Sequence, residues 1–158
     1  MTSQNEPCEI KIDKEGIWHF RGAVMIRQDI VNYFYQHLKA DGDGYCIEIG
    51  DQRCSVEVED VPFIIKSAEL SHSQGGNDNE PSILLSLSDE STEMLNLDKS
   101  LRMGKDNVLY CRVKKDRFEA RFSRPAYYQL CKYIDYDATG EAYALNLDHC
   151  SIPINFYQ

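Results

Sequence analysis

Two segments, one in each half of the chain, follow the same alternation of apolar and polar residues. The first reads YCIEIGDQRCSVEV over residues 45–58, and the second reads YALNLDHCSIPI over residues 143–154. Because successive side chains of a β-strand point to opposite faces, each segment predicts a hairpin with one apolar face. We place the loops at residues 50–53 and 148–149, so the second is two residues shorter. A chain that repeats such a unit is expected to fold as a duplicated structure.

A helix is predicted upstream of each of these hairpins. Residues 26–38 read IRQDIVNYFYQHL and repeat apolar residues four apart, and residues 123–134 read SRPAYYQLCKYI with apolar spacings of three and four. Both patterns are typical of amphipathic helices. Ser123 can cap the second helix, and Pro125 suits its first turn.

A further hairpin is predicted ahead of each helix, over residues 9–20 and 109–122. Each half is then a hairpin–helix–hairpin unit in which one helix covers one apolar sheet face. The sequence therefore predicts an α+β fold with internal duplication and two small two-layer domains. The expected segments are an N-terminal repeat with the following strand at 9–70, a connecting hairpin and irregular segment at 71–107, and a C-terminal repeat at 108–158.

The charge of the chain is unevenly distributed. Its 26 acidic and 17 basic residues give a net charge of −9, which disfavours general binding to polynucleotides. Residues 99–124, however, hold nine basic and three acidic residues, a local charge of +6 that leaves −15 for the remainder. This basic segment is the main functional signal in the sequence.

The predicted hairpin at 109–122 carries the candidate binding residues. Its outward positions are Tyr110, Arg112, Arg117, Glu119 and Arg121. Arginine side chains suit phosphate and carboxylate groups, and an aromatic ring beside them could stack on a base. Two structural alternatives remain open: a solvated strand face on which Arg112 pairs with Glu119, and docking against the acidic positions Glu48 and Glu57 of the first half.

An arginine also opens each predicted helix, and helix N-termini favour anions. These are Arg27 and Arg124. Arg27 could instead pair with Glu59 or Asp60. The ligand-binding candidates are therefore Tyr110, Arg112, Arg121, Arg27 and Arg124.

The six cysteines, at positions 8, 46, 54, 111, 131 and 150, form no C-x-x-C pair. This argues against a zinc ribbon or a thioredoxin-type site, and we expect free, buried thiols. Cys54, Cys111 and Cys150 lie at inward positions. No signal-peptide pattern and no run of about 18 apolar residues occur, so the sequence predicts a cytoplasmic protein without a membrane span.

No catalytic or metal-binding signature is found. The four histidines form no H-x-x-x-H pair, and there is no G-x-G-x-x-G, P-loop or G-x-S-x-G motif. The carboxylates Glu57, Glu59 and Asp60 lack a nucleophile or metal ligand at a useful spacing. We therefore expect a protein that is not an enzyme, with no cofactor and no metal.

Several segments resemble one bacterial family. GIWHFRGAVMIR (16–27), DGYCIEI (43–49), VEVEDVPFII (56–65) and LYCRVKKDRFEARFSRPAYYQL (109–130) are similar to the family called domain of unknown function 1285. The resemblance implies a duplicated α+β core whose C-terminal half is loosely like a pleckstrin-homology domain. It also implies a ligand cleft between the halves, for a nucleotide-like molecule, and a signalling role.

Two functions follow from these observations. The leading hypothesis is a non-enzymatic cytosolic binding or signalling module that senses a small anionic, nucleotide-like ligand between its two halves. The alternative is a protein–protein interaction adaptor of pleckstrin-homology-like shape, which would contact its partner through edge strands or the apolar residues 83–87.

Overall fold

The structure, a computed structural model, describes residues 6–42, 44–72, 81–95, 101–136, 143–147 and 150–156. The chain divides into two compact units, Met1–Phe63 and Ile64–Gln158. The α+β fold class is confirmed, since each unit combines one β-sheet with one α-helix. The finer division into 9–70, 71–107 and 108–158 stays a sequence-based prediction.

Unit 1 is a six-stranded sheet with one helix. Its elements are β1 (Glu6–Ile12), β2 (Trp18–Phe20), β3 (Ala23–Val24), α1 (Gln28–Gln36), β4 (Leu38–Asp41), β5 (Gly44–Ile49) and β6 (Gln52–Val58). The strand order is β3-β2-β1-β6-β5-β4, with β1 and β6 parallel.

The core of unit 1 lies between the helix and one sheet face. Trp18 is 1% exposed, and its ring meets Tyr35 of α1 edge-on at 4.8 Å. Tyr35 also stacks on Phe63 at 4.6 Å, and its hydroxyl donates a hydrogen bond of 2.8 Å to the carbonyl of Pro62. These contacts bury large aromatic area while satisfying the phenol.

Unit 2 is a nine-stranded sheet with one helix. Its elements are β7 (Phe63–His72, starting at the last residue of unit 1), β8 (Pro81–Leu87), β9 (Thr92–Met94), β10 (Leu101–Met103), a 3₁₀ turn (Lys105–Asn107), β11 (Leu109–Val113), β12 (Phe118–Phe122), α2 (Arg124–Cys131), β13 (Ile134–Tyr136), β14 (Tyr143–Leu147) and β15 (Cys150–Phe156). The strand order is β13-β14-β15-β10-β11-β12-β7-β8-β9.

The strand order of unit 1 recurs within unit 2. Strands β1–β3, α1 and β4–β6 follow the same path as β10–β12, α2 and β13–β15, and the first strand of each set lies parallel to the last. Each set has three strands on either side of its helix, whereas the sequence pattern predicted two. The missed strands are short, two to four residues each. Superposition of residues 9–58 on 108–154 stays a prediction.

The loop of the first hairpin is shorter than the sequence predicted. In the first hairpin Ile47 lies opposite Cys54 and Tyr45 opposite Val56, so the loop is Gly50–Asp51 and the predicted four-residue loop is wrong. The second hairpin pairs Tyr143 with Ile154, as predicted. The observed register of the first hairpin differs from the predicted one by two residues. Because side chains alternate with a period of two, each one stays on its predicted face.

Both helices are shorter than the apolar pattern suggested. Leu38 begins β4 and pairs with Ile47, and Ile134 begins β13, because strand pairing there replaces a further helical turn. Ile26 precedes α1 and is 88% exposed. The capping prediction is confirmed, since the Ser123 hydroxyl accepts a 3.3 Å hydrogen bond from the amide of Ala126.

The segment between the repeats forms the predicted hairpin of β7 and β8. Its predicted polar loop, 71–81, lies largely outside the described residues. Ile83, Leu85 and Leu87 are at most 1% exposed, and β8 lies between β7 and β9. Ile83, Leu85 and Leu87 therefore belong to the core, whereas Leu84 and Ser86 are half-buried, and a partner contact through residues 83–87 stays a prediction.

The cysteines only partly follow the sequence prediction. Cys111 is buried and free, as expected, and Cys46 is also buried and free. Cys54 is disulfide-bonded, so the prediction of a reduced thiol there is wrong. Local alternation predicts the face of the strand on which a cysteine lies but not whether a second cysteine comes beside it. The side chain of Cys150 lies outside the described residues.

Within the described residues, neither helix has the length and apolar character needed to cross a bilayer.

Candidate functional site

Three neighbouring antiparallel strands of unit 2, β10 to β12, place polar side chains on one face and core side chains on the other. The core side chains are almost completely shielded; Leu109 and Ala120, for example, are 0% exposed. Across the strands, Arg102 lies opposite Tyr110, Tyr110 opposite Arg121, and Arg112 opposite Glu119. We call the polar set the arginine face. It consists of Arg102, Tyr110, Arg112, Glu119 and Arg121.

Arg102 crosses the middle of the arginine face. Its guanidinium carbon lies 3.9 Å from the centroid of the Tyr110 ring, a cation–π contact. Its Nε and Nη2 atoms lie 3.0 and 2.9 Å from one carboxylate oxygen of Glu119. Arg102 lies in the basic segment at 99–124, but its strand of three residues was not predicted, so Arg102 was not among the candidate binding residues.

Tyr110 lies on the predicted face but is only 7% exposed. Arg102 covers its ring, and a Cβ added at Gly104 would lie 3.0 Å from the ring edge. The expectation that Tyr110 stacks on a ligand base is therefore wrong for this arrangement. The ring of Tyr110 instead packs against the Arg102 guanidinium.

Arg112 is exposed and holds the turn between β11 and β12. Its Nη2 atom donates a 2.7 Å hydrogen bond to the carbonyl of Asp116, and Arg117, which lies in the turn, donates from Nε to the carbonyl of Lys114 at 3.2 Å. Lys114, Lys115 and Asp116 all have positive φ, at 55°, 57° and 64°. Arg112 faces Glu119 as predicted, but Glu119 bonds to Arg102 instead.

The net charge of the arginine face is positive. Three arginines and one glutamate give 3 − 1 = +2. Arg121 is half-buried, and Arg102 and Glu119 keep 29% and 32% of their side-chain surface exposed. An anion can therefore approach these groups from solvent.

The helix-opening arginines lie in different units. Arg27, in unit 1, binds the Asp29 carboxylate with Nη2 at 2.6 Å and Nε at 3.2 Å, so the predicted pairing with Glu59 or Asp60 is wrong. This contact lowers the pKa of Asp29. Arg124 is the first residue of α2 and is exposed.

The acidic residues proposed to dock on the basic hairpin have lysine partners in their own sheet. Glu48 lies 2.6 Å from Lys39, which lowers the pKa of that carboxyl, and Glu57 lies 3.5 Å from Lys11. The structure therefore gives these two carboxylates a role within unit 1.

An ionic cluster next to the arginine face was not predicted. The Lys114 ammonium lies 2.8 Å from the Asp89 carboxylate and 2.7 Å from the Ser91 hydroxyl, and the Lys114 amide donates to Glu93 at 3.2 Å. Burial alone would raise the pKa of Asp89, but the hydrogen bonds from Lys114 and Ser91 lower it overall. The cluster joins the β8–β9 turn to the β11–β12 turn.

Among the described residues, no group of three or more metal-ligating side chains could hold an ion.

Comparisons with known proteins point to one family. Residues 2–61 match the family model "Domain of unknown function (DUF1285), N-terminal domain". The fold is similar to the crystal structure of a DUF1285 family protein from Silicibacter pomeroyi DSS-3, with a TM-score of 0.77 and 19% identity over 94% of this chain and 80% of that one.

A second similar structure is a DUF1285 family protein from Shewanella baltica OS155. The TM-score is 0.63 and the identity is 18%, over 78% of this chain and 91% of the other. No curated protein matches the chain. At these identities the two structures support the fold, which agrees with the resemblance found in the sequence.

Proposed function

Residues 2–61 match the N-terminal domain of the DUF1285 family, whose description names no activity, and we propose a function from the geometry of the chain itself. The protein is a non-enzymatic binding or signalling module that takes a small anionic ligand, such as a phosphate-bearing or nucleotide-like molecule, at the arginine face. This assignment uses Arg112 and Arg121 as ligand contacts and Arg102 as a preordered neighbour.

One observation carries the proposal. A chain with a net charge of −9 concentrates three arginines on one face of three adjacent strands, with a single carboxylate among them. The other face of the same strands is core, so the backbone positions of the arginines are fixed before any ligand arrives. Guanidinium groups held in this way suit phosphate and carboxylate recognition.

The chemistry of the face favours binding over bond breaking. Its groups are three guanidiniums, a buried phenol and a carboxylate already bonded to Arg102. A guanidinium stays protonated at every pH at which a protein is folded, so it serves as an anion anchor and not as a general base.

A thermal-shift screen tests the proposal directly. An anion that binds only the folded state stabilises it by about 2.7 kcal/mol at 100 times its dissociation constant. We expect phosphorylated metabolites or nucleotides to raise the melting temperature, and the double variant Arg112→Ala/Arg121→Ala to lose that shift. The variant Lys105→Ala/Lys132→Ala removes the same charge from the exposed 3₁₀ turn and the end of α2, and should keep it.

Other results would change the assignment. A double variant that melts far below the wild type would show that the two arginines serve stability, since exposed charge pairs contribute at most about 1 kcal/mol. If no anion shifts the wild type, the binding proposal fails. Loss of the shift in Arg27→Ala or Arg124→Ala would extend the contact set to the helix-opening arginines.

The adaptor function is the second candidate, and one region of unit 1 favours it. Strand β3 is an edge strand, and Phe20, Val24 and Ile26 around it are 44%, 53% and 88% exposed. Exposed edges and apolar side chains are common features of surfaces that bind extended peptides. Replacing Val24 and Ile26 by Ser should abolish partner binding if the adaptor function is correct, and leave anion binding unchanged.

A cytoplasmic location is part of the proposal, and Cys54 is the observation that weighs against it. Disulfides are rare in the reducing cytosol and persist in oxidising compartments. Alkylation of thiols in intact cells before lysis distinguishes a cytoplasmic location from an oxidising compartment. A fully alkylated Cys54 supports the cytoplasm, whereas an intact disulfide supports an oxidising compartment.

A further inference from the structure

Glu119 lies among all three arginines of the arginine face. It faces Arg112 directly across the β11–β12 ladder, and Arg121 lies two residues further along the same strand and on the same side. Arg102, from β10, reaches over Tyr110 to bind it. A single carboxylate therefore occupies the position at which the positive charge of the face converges.

We propose that Glu119 is an internal competitor that occupies Arg102 and sets a threshold for binding, so that only anions able to contact several arginines at once, such as doubly charged phosphate groups, bind measurably to the arginine face. This inference rests on the proposed anion-binding function. It adds the ligand class and the residue that sets it.

The geometry of the Arg102–Glu119 pair resembles ligand recognition. Two N–H groups of one guanidinium converge on the same carboxylate oxygen, at 3.0 and 2.9 Å. A phosphate oxygen is bound by arginine through similar charge-assisted contacts. The Glu119 carboxylate thus occupies a donor set that an incoming phosphate group would also use.

The Arg102–Glu119 pair is also exposed enough for an anion to replace Glu119 at Arg102. The two side chains are 29% and 32% exposed, so Glu119 can swing into water without leaving a buried charge. The Arg102 guanidinium would keep its place over the Tyr110 ring, which lies 3.9 Å below it. The donor would therefore stay ordered when the carboxylate leaves.

Charge balance explains why a doubly charged phosphate group exceeds this threshold. A singly charged anion that displaces Glu119 from Arg102 exchanges one carboxylate-like contact for another, and gains little. A doubly charged phosphate group replaces that contact and also attracts Arg112 and Arg121 with its remaining charge. The internal carboxylate thus raises the threshold for binding, and weakly charged anions do not exceed it.

The test uses the full chain with inorganic phosphate and acetate as probes, titrated by isothermal calorimetry at pH 7.5 and low ionic strength. We expect the wild type to prefer phosphate. Glu119→Gln should bind phosphate about fivefold more tightly, because a surface ion pair of this kind no longer competes. The affinity for acetate should rise by a similar factor, because both anions are spared the same cost of displacing Glu119, so acetate binding becomes measurable.

Two further variants assign the effect to Arg102. Glu119→Gln/Arg102→Ala should lose the gain of the single variant. Glu93→Gln removes a carboxylate of unit 2 that accepts from the Lys114 amide, and should leave the affinities for phosphate and acetate unchanged. Melting temperatures confirm that all variants are folded, and Glu119→Ala replaces Glu119→Gln if that variant is not.

The outcomes separate the two proposals. If wild type and Glu119→Gln bind phosphate equally and Arg112→Ala/Arg121→Ala abolishes binding, the anion site stands and the competitor role of Glu119 is overturned. If neither wild type nor Glu119→Gln binds either probe, the anion site itself is rejected. A gain in Glu119→Gln that persists without Arg102 also overturns the competitor role.

Discussion

The ammonium of Lys114 lies 2.8 Å from the carboxylate of Asp89, although their strands are far apart in the sheet. Lys114 follows β11 and Asp89 follows β8, and strands β12 and β7 lie between β11 and β8. The ion pair therefore connects the β8–β9 turn with the β11–β12 turn across the intervening strands. Because Lys114 follows directly on β11, this contact also fixes one end of the arginine face.

Removing this ion pair should destabilise the protein. Asp89 and Lys114 keep only 12% and 23% of their side-chain surface exposed, so each loses a partly desolvated partner. We expect Lys114→Met to lower the free energy of unfolding by about 1–3 kcal/mol, measured by urea denaturation. Lys115→Met, at the exposed neighbouring position, is the control and should change it by less than about 0.5 kcal/mol.

The same pair predicts a loss of stability in acid. Hydrogen bonds from Lys114 and Ser91 lower the pKa of Asp89 below 3.8 despite its burial. A carboxyl whose pKa is depressed by folding contributes stability above its unfolded pKa, and this is lost as the pH falls through the folded pKa. Unfolding free energies measured from pH 6 to pH 2.5 should therefore decline less steeply below pH 4 in Asp89→Asn than in the wild type. Equal slopes would contradict the assignment.

The backbone of the β11–β12 turn is strained, and a glycine substitution can relieve that strain. Lys115 has a φ of 57°, in the left-handed region that costs residues with a Cβ roughly 1 kcal/mol. Lys115→Gly should raise the free energy of unfolding by up to about 1 kcal/mol, because the relief of strain exceeds the added entropy of the unfolded chain. Lys115→Ala keeps the strain and serves as the control. A glycine variant no more stable than the alanine variant would rule out strain at this position.

The free cysteines of the described part of the chain, Cys46, Cys111 and Cys131, should differ sharply in reactivity. Cys131 is exposed, whereas Cys46 and Cys111 are buried, and burial raises the pKa of the Cys111 thiol strongly. In the folded protein under non-reducing conditions, a thiol reagent should label Cys131 rapidly and the two buried thiols only on unfolding. Peptide mapping of the labelled sites checks this. Rapid labelling of Cys111 would contradict the strand register of β11.

Much of the arginine face can be read from the sequence. Alternation along residues 109–122 correctly separates the core side chains from Arg112, Glu119 and Arg121, because the period of a strand is a local property of the backbone. The cap at Ser123 follows in the same way from one side chain and an amide three residues away. The strand order that recurs in the two units is consistent with the repeated pattern at residues 45–58 and 143–154.

Only the tertiary structure shows how these local pieces meet. The parallel pairing of β1 with β6 and of β10 with β15, the Arg102 guanidinium over Tyr110, and the Lys114–Asp89 pair all join segments from different parts of the chain. A hydrophobic period specifies which side of a strand is buried, but the choice of neighbouring strand depends on packing and loop closure over the whole unit. For that reason Tyr110 is recognisable in the sequence as an outer-face residue, and its burial under Arg102 is not.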